Sequence, residues 1–229
     1  IFIQNTNIKK DTILVDGIKN EIANFDFTLP ENAKTGSYRT TYALQGAGFI
    51  DFLFNKEDIS FTFNPADLEQ SISFSTSKEN NLYKEYLEAI NTQQQKLDSI
   101  QMVALRYPND TISETYKKIL GDVNEVQKIY LEESKMMMVS HFVKATLRKN
   151  SPDVILSMKE YVSHFTDTFF DNMDFSDTVL YNSSFLVDRI TNYVFDLNYS
   201  KKVSVQQRLY KESIARVMTN INAKYSSAI

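Results

Sequence analysis

Cysteine and tryptophan are absent from this 229-residue chain, and glycine (5), proline (4) and histidine (2) are scarce. Without cysteine the chain can form no disulfide, do no thiol–disulfide chemistry and build no thiolate zinc site. That absence fits either redox environment and so does not fix the compartment. Two histidines exclude a multi-histidine metal centre. So little glycine and proline argues against long flexible linkers. No stretch has the roughly 18 uninterrupted apolar residues of a spanning helix, and no signal peptide is legible. Basic surplus is missing too. The formal net charge is −4, which argues against a general nucleic-acid binder. No strong local basic patch is legible either: Arg148–Lys149 and Lys201–Lys202 are only pairs. There is no G-x-G-x-x-G, P-loop, G-x-S-x-G or H-E-x-x-H motif. The chain opens "IFIQNTNIKK", without an initiator methionine. It reads as a processed or shortened piece, with room for a signal or lipid anchor upstream.

What is present is aromatic. Sixteen Phe and thirteen Tyr can furnish a packed core, since each ring buries a large apolar area. The length suits one large or two small domains. Up to about residue 76 the period is that of β-structure. "DTILVDG" (11–17), "FDFTL" (25–29), "SYRTTYAL" (37–44), "FIDFLFN" (49–55), "DISFTFN" (58–64) and "SISFS" (71–75) read as strands. Ile59, Phe61 and Phe63 alternate with Ser60, Thr62 and Asn64, which puts one face in a core and one in water. "KE" is a short connection between two of these strands, so antiparallel pairing is expected there. "ENAKTG" (31–36) and "QGAG" (45–48) are turn candidates.

After residue 77 the period becomes helical. Leu82, Tyr83, Tyr86, Leu87, Ile90, Leu97, Ile100 and Ala104 form a stripe, broken by Gln93–Gln95. "RYPND" stops that helix at Pro108. A second stripe follows with Ile112, Tyr116, Ile119, Val123, Val126 and Tyr130. Its start is expected at Thr111, in capping-box spacing with Glu114, or at Asp110. The two stripes predict an αα-hairpin. "MMMVSHFVKATLR" (136–148) reads as a buried helix. Ser151 and Pro152 read as the cap and first residue of the next one. Helices over 184–198 and 205–221, the latter capped by Ser204, complete the chain. The fold class is α+β. An antiparallel β-meander or sandwich-like domain (1–76) precedes an all-α helical domain (77–229).

The stretch "HFTDTFFDNMDFSDT" (164–178) invites a chemical reading. His164 with Asp167, Asp171, Asp174 and Asp177 resembles a ligand series. However, Phe169, Phe170, Met173 and Phe175 are interleaved, and rings that point inward turn the carboxylates outward. Calcium is disfavoured, because the spacing is not D-x-[DN]-x-[DN]-G and no glycine supplies the turn. The favoured reading is a helix end passing into an aromatic-anchored acidic loop. His141 sits in an apolar segment with no nucleophile–base–orienter set around it. Met136–Met138 could form an adaptable binding surface, but core packing is the expectation. Glu132–Glu133 fall on a polar helix face. Sequons at Asn109, Asn182 and Asn198 carry little information. No catalytic, cofactor-binding or metal-binding residue is assigned, and no cofactor is expected.

The order of elements resembles a known family. "DTILVDG", "FDFTL", "SYRTTYAL", "FIDFLFNKEDISFTFN" and "SISFSTSKENNLYKEYLEAI" are similar to the N-terminal β-domain, of unknown function, of Bacteroidetes thioredoxin-like thiol–disulfide oxidoreductases. Asp11, Thr12, Gly17, Phe25, Phe27, Tyr38, Ser77 and Asn80 occupy matching positions. Leu29 and Glu57–Asp58 stand where that family often has glycine. "FFDNMDFSD…L…SSFL" resembles the helical connector that follows this domain. The resemblance implies a cell-envelope or periplasmic setting, often as a lipoprotein. It also implies a C-x-x-C thioredoxin domain outside this chain. The chain would then be a non-enzymatic accessory region. Its partner would be a protein substrate, the downstream thioredoxin domain or a second protomer, met at an apolar groove between β-domain and helices. No nucleic acid is expected, and a membrane only through an upstream anchor. Two other readings remain. One is an envelope module binding a peptide or glycan through aromatics on the wet sheet face, with Thr40, Tyr42 and Phe52 on either face depending on register. The other, ranked last, is a hydrolase using His164 and its aspartates.

Overall fold

The computed structural model describes residues 2–5, 12–13, 18–19, 25–43, 47–64, 66–198 and 200–226. The expected strand 11–17 is seen as β2 (Thr12–Ile13); residues 11 and 14–17 lie outside the described residues, as do 45–46 of the expected turn, whose residues 47–48 belong to a strand. The chain is α+β, with antiparallel sheets first and helices after. It divides into two compact units. One is Ile1–Asn81 with Phe175–Asn192, and the other is Leu82–Asp174 with Tyr193–Ile229. The division therefore falls a few residues beyond the change of period. The segment 175–192, of helical composition, belongs to the β-unit, where the Asn182 carbonyl accepts a hydrogen bond from Ser37 N–H at 3.1 Å.

In the first unit a four-stranded antiparallel sheet has the order β2-β1-β5-β6. β1 is Phe2–Asn5, β5 Gly36–Ala43 and β6 Ala47–Phe54. The pair β3 (Ile18–Lys19) and β4 (Phe25–Asp26) forms a separate short ladder. β1 and β3 were not anticipated from sequence. β5 and β6 pair without interruption from Gly36↔Phe54 to Ala43↔Ala47. Gly36 begins β5 at φ 149°, and a β-carbon there would collide with the Asn182 carbonyl, so glycine is required.

The expected hairpin between 49–55 and 58–64 does not form. Lys56 takes a left-handed φ of 78°, and its ammonium bonds the carbonyls of Glu31 and Ala33. This corner carries the chain out of the sheet. β7 (Phe61–Thr62) pairs instead with β8 (Ser73–Phe74), after the single turn α1 (Leu68–Ser71). Tyr38, Phe52, Phe74 and Ala33 are the buried centre, with Phe27, Leu29, Phe54, Ile59, Phe61 and Ile72 packed around them. Phe61 lies 5.5 Å from Phe74 and 6.0 Å from Phe52, ring to ring. Each such ring contributes roughly 1.5–3 kcal/mol by leaving water.

The second unit begins inside α2 (Lys78–Arg106), which pairs with α3 (Asp110–Glu133) as the expected αα-hairpin. Tyr86 meets Tyr130 at 5.4 Å at its base. The cap of α3 is Asn109, whose side chain accepts from Ile112 N–H at 3.0 Å, so the start lies ahead of both expected caps. α4 is only Ser140–Thr146. Residues 134–139 are turns, because Ser134 closes α3 through bonds to Tyr130 and Glu132. α5 (Met158–Thr168) is capped by Ser157, which accepts from Glu160 N–H, and not by Ser151. α6 (Thr178–Tyr181) and α7 (Phe185–Thr191) belong to the first unit. A π-helical turn (Asn192–Asp196) leads to α8 (Val203–Ser226), which starts before the expected cap Ser204. Asn198 holds that turn, donating to the Tyr193 and Val194 carbonyls and to Ser213 Oγ.

Candidate functional site

The acidic series is dispersed among separate structural tasks. Asp167 on α5 accepts from Arg216 of α8 at 3.0 Å and from Ser163 at 3.0 Å. Asp171 pairs with Lys149 at 3.2 Å. Asp174 is exposed. Asp177 caps α6, accepting from Val179 N–H at 2.9 Å and Leu180 N–H at 3.3 Å. His164 places Nε2 3.0 Å from the Lys149 carbonyl. Phe169, Phe170, Met173 and Phe175 are buried. Phe169 and Phe170 pack on Tyr193 at 5.1 and 4.7 Å. Among the described residues no three His, Asp or Glu side chains are placed to hold a metal ion.

The other candidates separate as well. His141 is half-buried in the first turn of α4. Met136, expected in the core, is 93 % exposed. It sits in the turns between α3 and α4, so the helical stripe that would have buried it does not exist. Glu132 and Glu133 are exposed, and Glu132 pairs with Lys135. Arg148 is not a surface cation. It bonds Asp98 at 2.8 Å and lies 4.7 Å over the Phe165 ring. Lys201 and Lys202 are exposed.

Two polar constellations went unread in the sequence. The first lies where α2 begins. Ser77 and Asn80 are buried. Ser77 Oγ accepts from Asn80 N–H at 3.3 Å, capping the helix, and also from Asn80 Nδ2 at 2.8 Å. Its hydroxyl donates to the Glu57 carboxylate. Asn80 then turns its amide on Leu53: Oδ1 accepts from Leu53 N–H at 2.7 Å and Nδ2 donates to Leu53 C=O at 2.8 Å. A side chain thus imitates a neighbouring strand at one residue of β6. Asn55 adds a bond to buried Glu79 at 2.9 Å. The signal was the S-x-x-N spacing ahead of a helical stripe.

The second constellation holds residues 148–155, which are irregular, with a bend at 152–153, instead of helical. Gln94 and Asn150 exchange amide hydrogen bonds at 3.1 and 3.0 Å. Gln101 accepts from Ile155 N–H at 3.1 Å and donates to Ile155 C=O at 2.7 Å. Tyr116 donates to the Ser151 carbonyl at 2.8 Å, and Gln127 to that of Arg148 at 3.3 Å. These bonds claim the backbone that a helix starting at Ser151 would need. Gln94 and Gln101 lie in phase with buried Ile90, Leu97 and Ala104, which is the signal that was available. Burial pushes the Tyr116 phenol up to about 12, and pushes Tyr83 up further.

No known protein family, curated protein or solved structure matches the chain.

The sheet faces are also decided. Thr40, Tyr42 and Phe52 all face inward and are buried. The opposite face carries Arg39, Asp51 and Phe49. Arg39 binds Asp51 at 2.6 and 2.7 Å and lies 3.8 Å over the Phe49 ring. The hydrogen bond to Asp51 raises the Arg39 pKa, against the opposing effect of burial. An open groove of about 540 Å³ between α2 and α3 is lined by Ile100, Val103 and Ile119 with polar neighbours. It lacks the enclosure of a small-molecule site. Among the described residues no helix is long and apolar enough to cross a membrane.

Proposed function

We propose that this chain is a non-catalytic accessory region of a cell-envelope thiol–disulfide oxidoreductase, docking a substrate protein or a second protomer. The observation that carries the reading is the role of Ser77 and Asn80. Two of the residues on which the family resemblance rests form one latch, from the first turn of α2 to Leu53 of β6. A motif with so specific a structural task is what a shared accessory fold requires. The acidic connector fits as well, with Asp167, Asp171 and Asp177 engaged in packing and capping. The glycan or peptide reading loses its support from an aromatic row, since Tyr42 and Phe52 face the core.

The test is made on the parent protein. A C-x-x-C thioredoxin-like sequence should follow Ile229 in the coding sequence. Deleting residues 1–229 should slow reduction of protein disulfides and leave reduction of a small disulfide unchanged. Absence of the C-x-x-C domain, or equal slowing of both substrates, refutes the proposal.

A further inference from the structure

Because the β5–β6 ladder is unbroken, backbone groups along β6 alternate between β5 and the open side. Leu53 points its N–H and C=O outward, to Asn80. By the same alternation Phe49 and Asp51 point theirs outward. Among the described residues no strand pairs with β6 on that side. Phe49 is 49 % exposed there, with Asp51 beside it. Such an edge is a template on which another extended strand can pair.

We propose that the strand is β6 of a second copy of this chain, antiparallel about a two-fold axis through Ile50. Hydrogen-bonded pairs must join outward-facing residues, so Phe49 of each copy faces Asp51 of the other. Each Arg39, lying over its own Phe49, is thereby brought toward the second copy's Asp51, and the charges alternate across the seam. Sliding toward Leu53 would set Asp51 against Asp51, which is repulsive. It would also need the Leu53 groups that Asn80 occupies. In the proposed register Leu53 faces the second copy's Ala47, so the latch ends the ladder on each side and limits the pairing to residues 49–51. With about four backbone hydrogen bonds at the seam, the dimer is weak and concentration-dependent. This rests on the docking or dimerising role proposed above, and specifies the partner.

The lack of native cysteine makes introduced thiols unambiguous. Phe49→Cys and Asp51→Cys proteins are oxidised separately and as a mixture, then run without reductant. The mixture should cross-link several-fold more than either alone. In sedimentation equilibrium the unaltered chain should pass from monomer to dimer as concentration rises. Phe49→Pro should abolish this while leaving the circular dichroism intact, since its outward N–H bonds nothing in β5. A chain monomeric at every concentration, a dimer that survives Phe49→Pro, or equal cross-linking in all samples overturns the pairing. A monomer whose parent carries the C-x-x-C domain overturns the strand pairing alone and leaves the docking role standing.

Discussion

Replacing Asn80 by Ala should be among the costliest single changes in the β-unit. Leu53 is 4 % exposed and Asn80 equally so. Water therefore cannot easily replace the amide that satisfies both backbone groups of Leu53. A buried donor or acceptor left unpaired costs about 1–3 kcal/mol. Two such groups give roughly 2–6 kcal/mol, and the bond from Nδ2 to Ser77 is lost as well. Against a total stability of about 5–15 kcal/mol that is a large fraction. Denaturant titration should show a lower midpoint at unchanged slope. Hydrogen exchange supplies the local readout: Leu53 N–H should be protected in the unaltered protein and exchange early in the variant. Asn80→Asp keeps the acceptor for Leu53 N–H but sets a carboxylate against Leu53 C=O, so it should be no better tolerated than alanine. A loss under about 1 kcal/mol, or exchange at Leu53 equal in both proteins, would refute the reasoning.

Three further outcomes are expected. Asp177→Ala removes the cap of α6 and should lower stability by about 0.5–2 kcal/mol, measured by thermal unfolding. Gln101→Leu leaves the part-buried N–H and C=O of Ile155 without their partners and should cost about 1–3 kcal/mol by the same measure. It should also speed exchange at Ile155. Tyr116 ionises near 10 when unfolded but at about 12 in the fold. Its contribution to stability is thus complete below the unfolded value and is lost as pH rises from there through the folded value. Unfolding followed across alkaline pH should show that loss, and Tyr116→Phe should reduce it.

The α+β class and the αα-hairpin were legible because period is a property of many residues at once. Phe52 and Phe74 on one side and Tyr86, Leu97, Tyr116 and Val123 on the other are buried much as their spacing requires. What failed was local. "NDT" at 109–111 offers three competent caps in a row, and only the side-chain geometry of Asn109 selects among them. "NSPD" carries a strong helix-start signal, but Tyr116 and Gln101 take the carbonyl of Ser151 and both groups of Ile155. The "KE" connection looked like a hairpin, whereas Lys56 in the left-handed region turns it into a corner. In the acidic connector the interleaved rings did identify which residues are buried. The partners of each aspartate could not be read, because Arg216 and Lys149 are distant in sequence from Asp167 and Asp171.

The amide bonds to residues 150 and 155 make α2 a ruler. Gln94, Asp98 and Gln101 stand at successive turns of one face and read off Asn150, Arg148 and Ile155. A single residue inserted between Gln94 and Gln101 would turn the two amides about 100° out of alignment. The segment would then lose its backbone partners without any change in its own sequence. Length, more than composition, is what this stretch of α2 has to conserve.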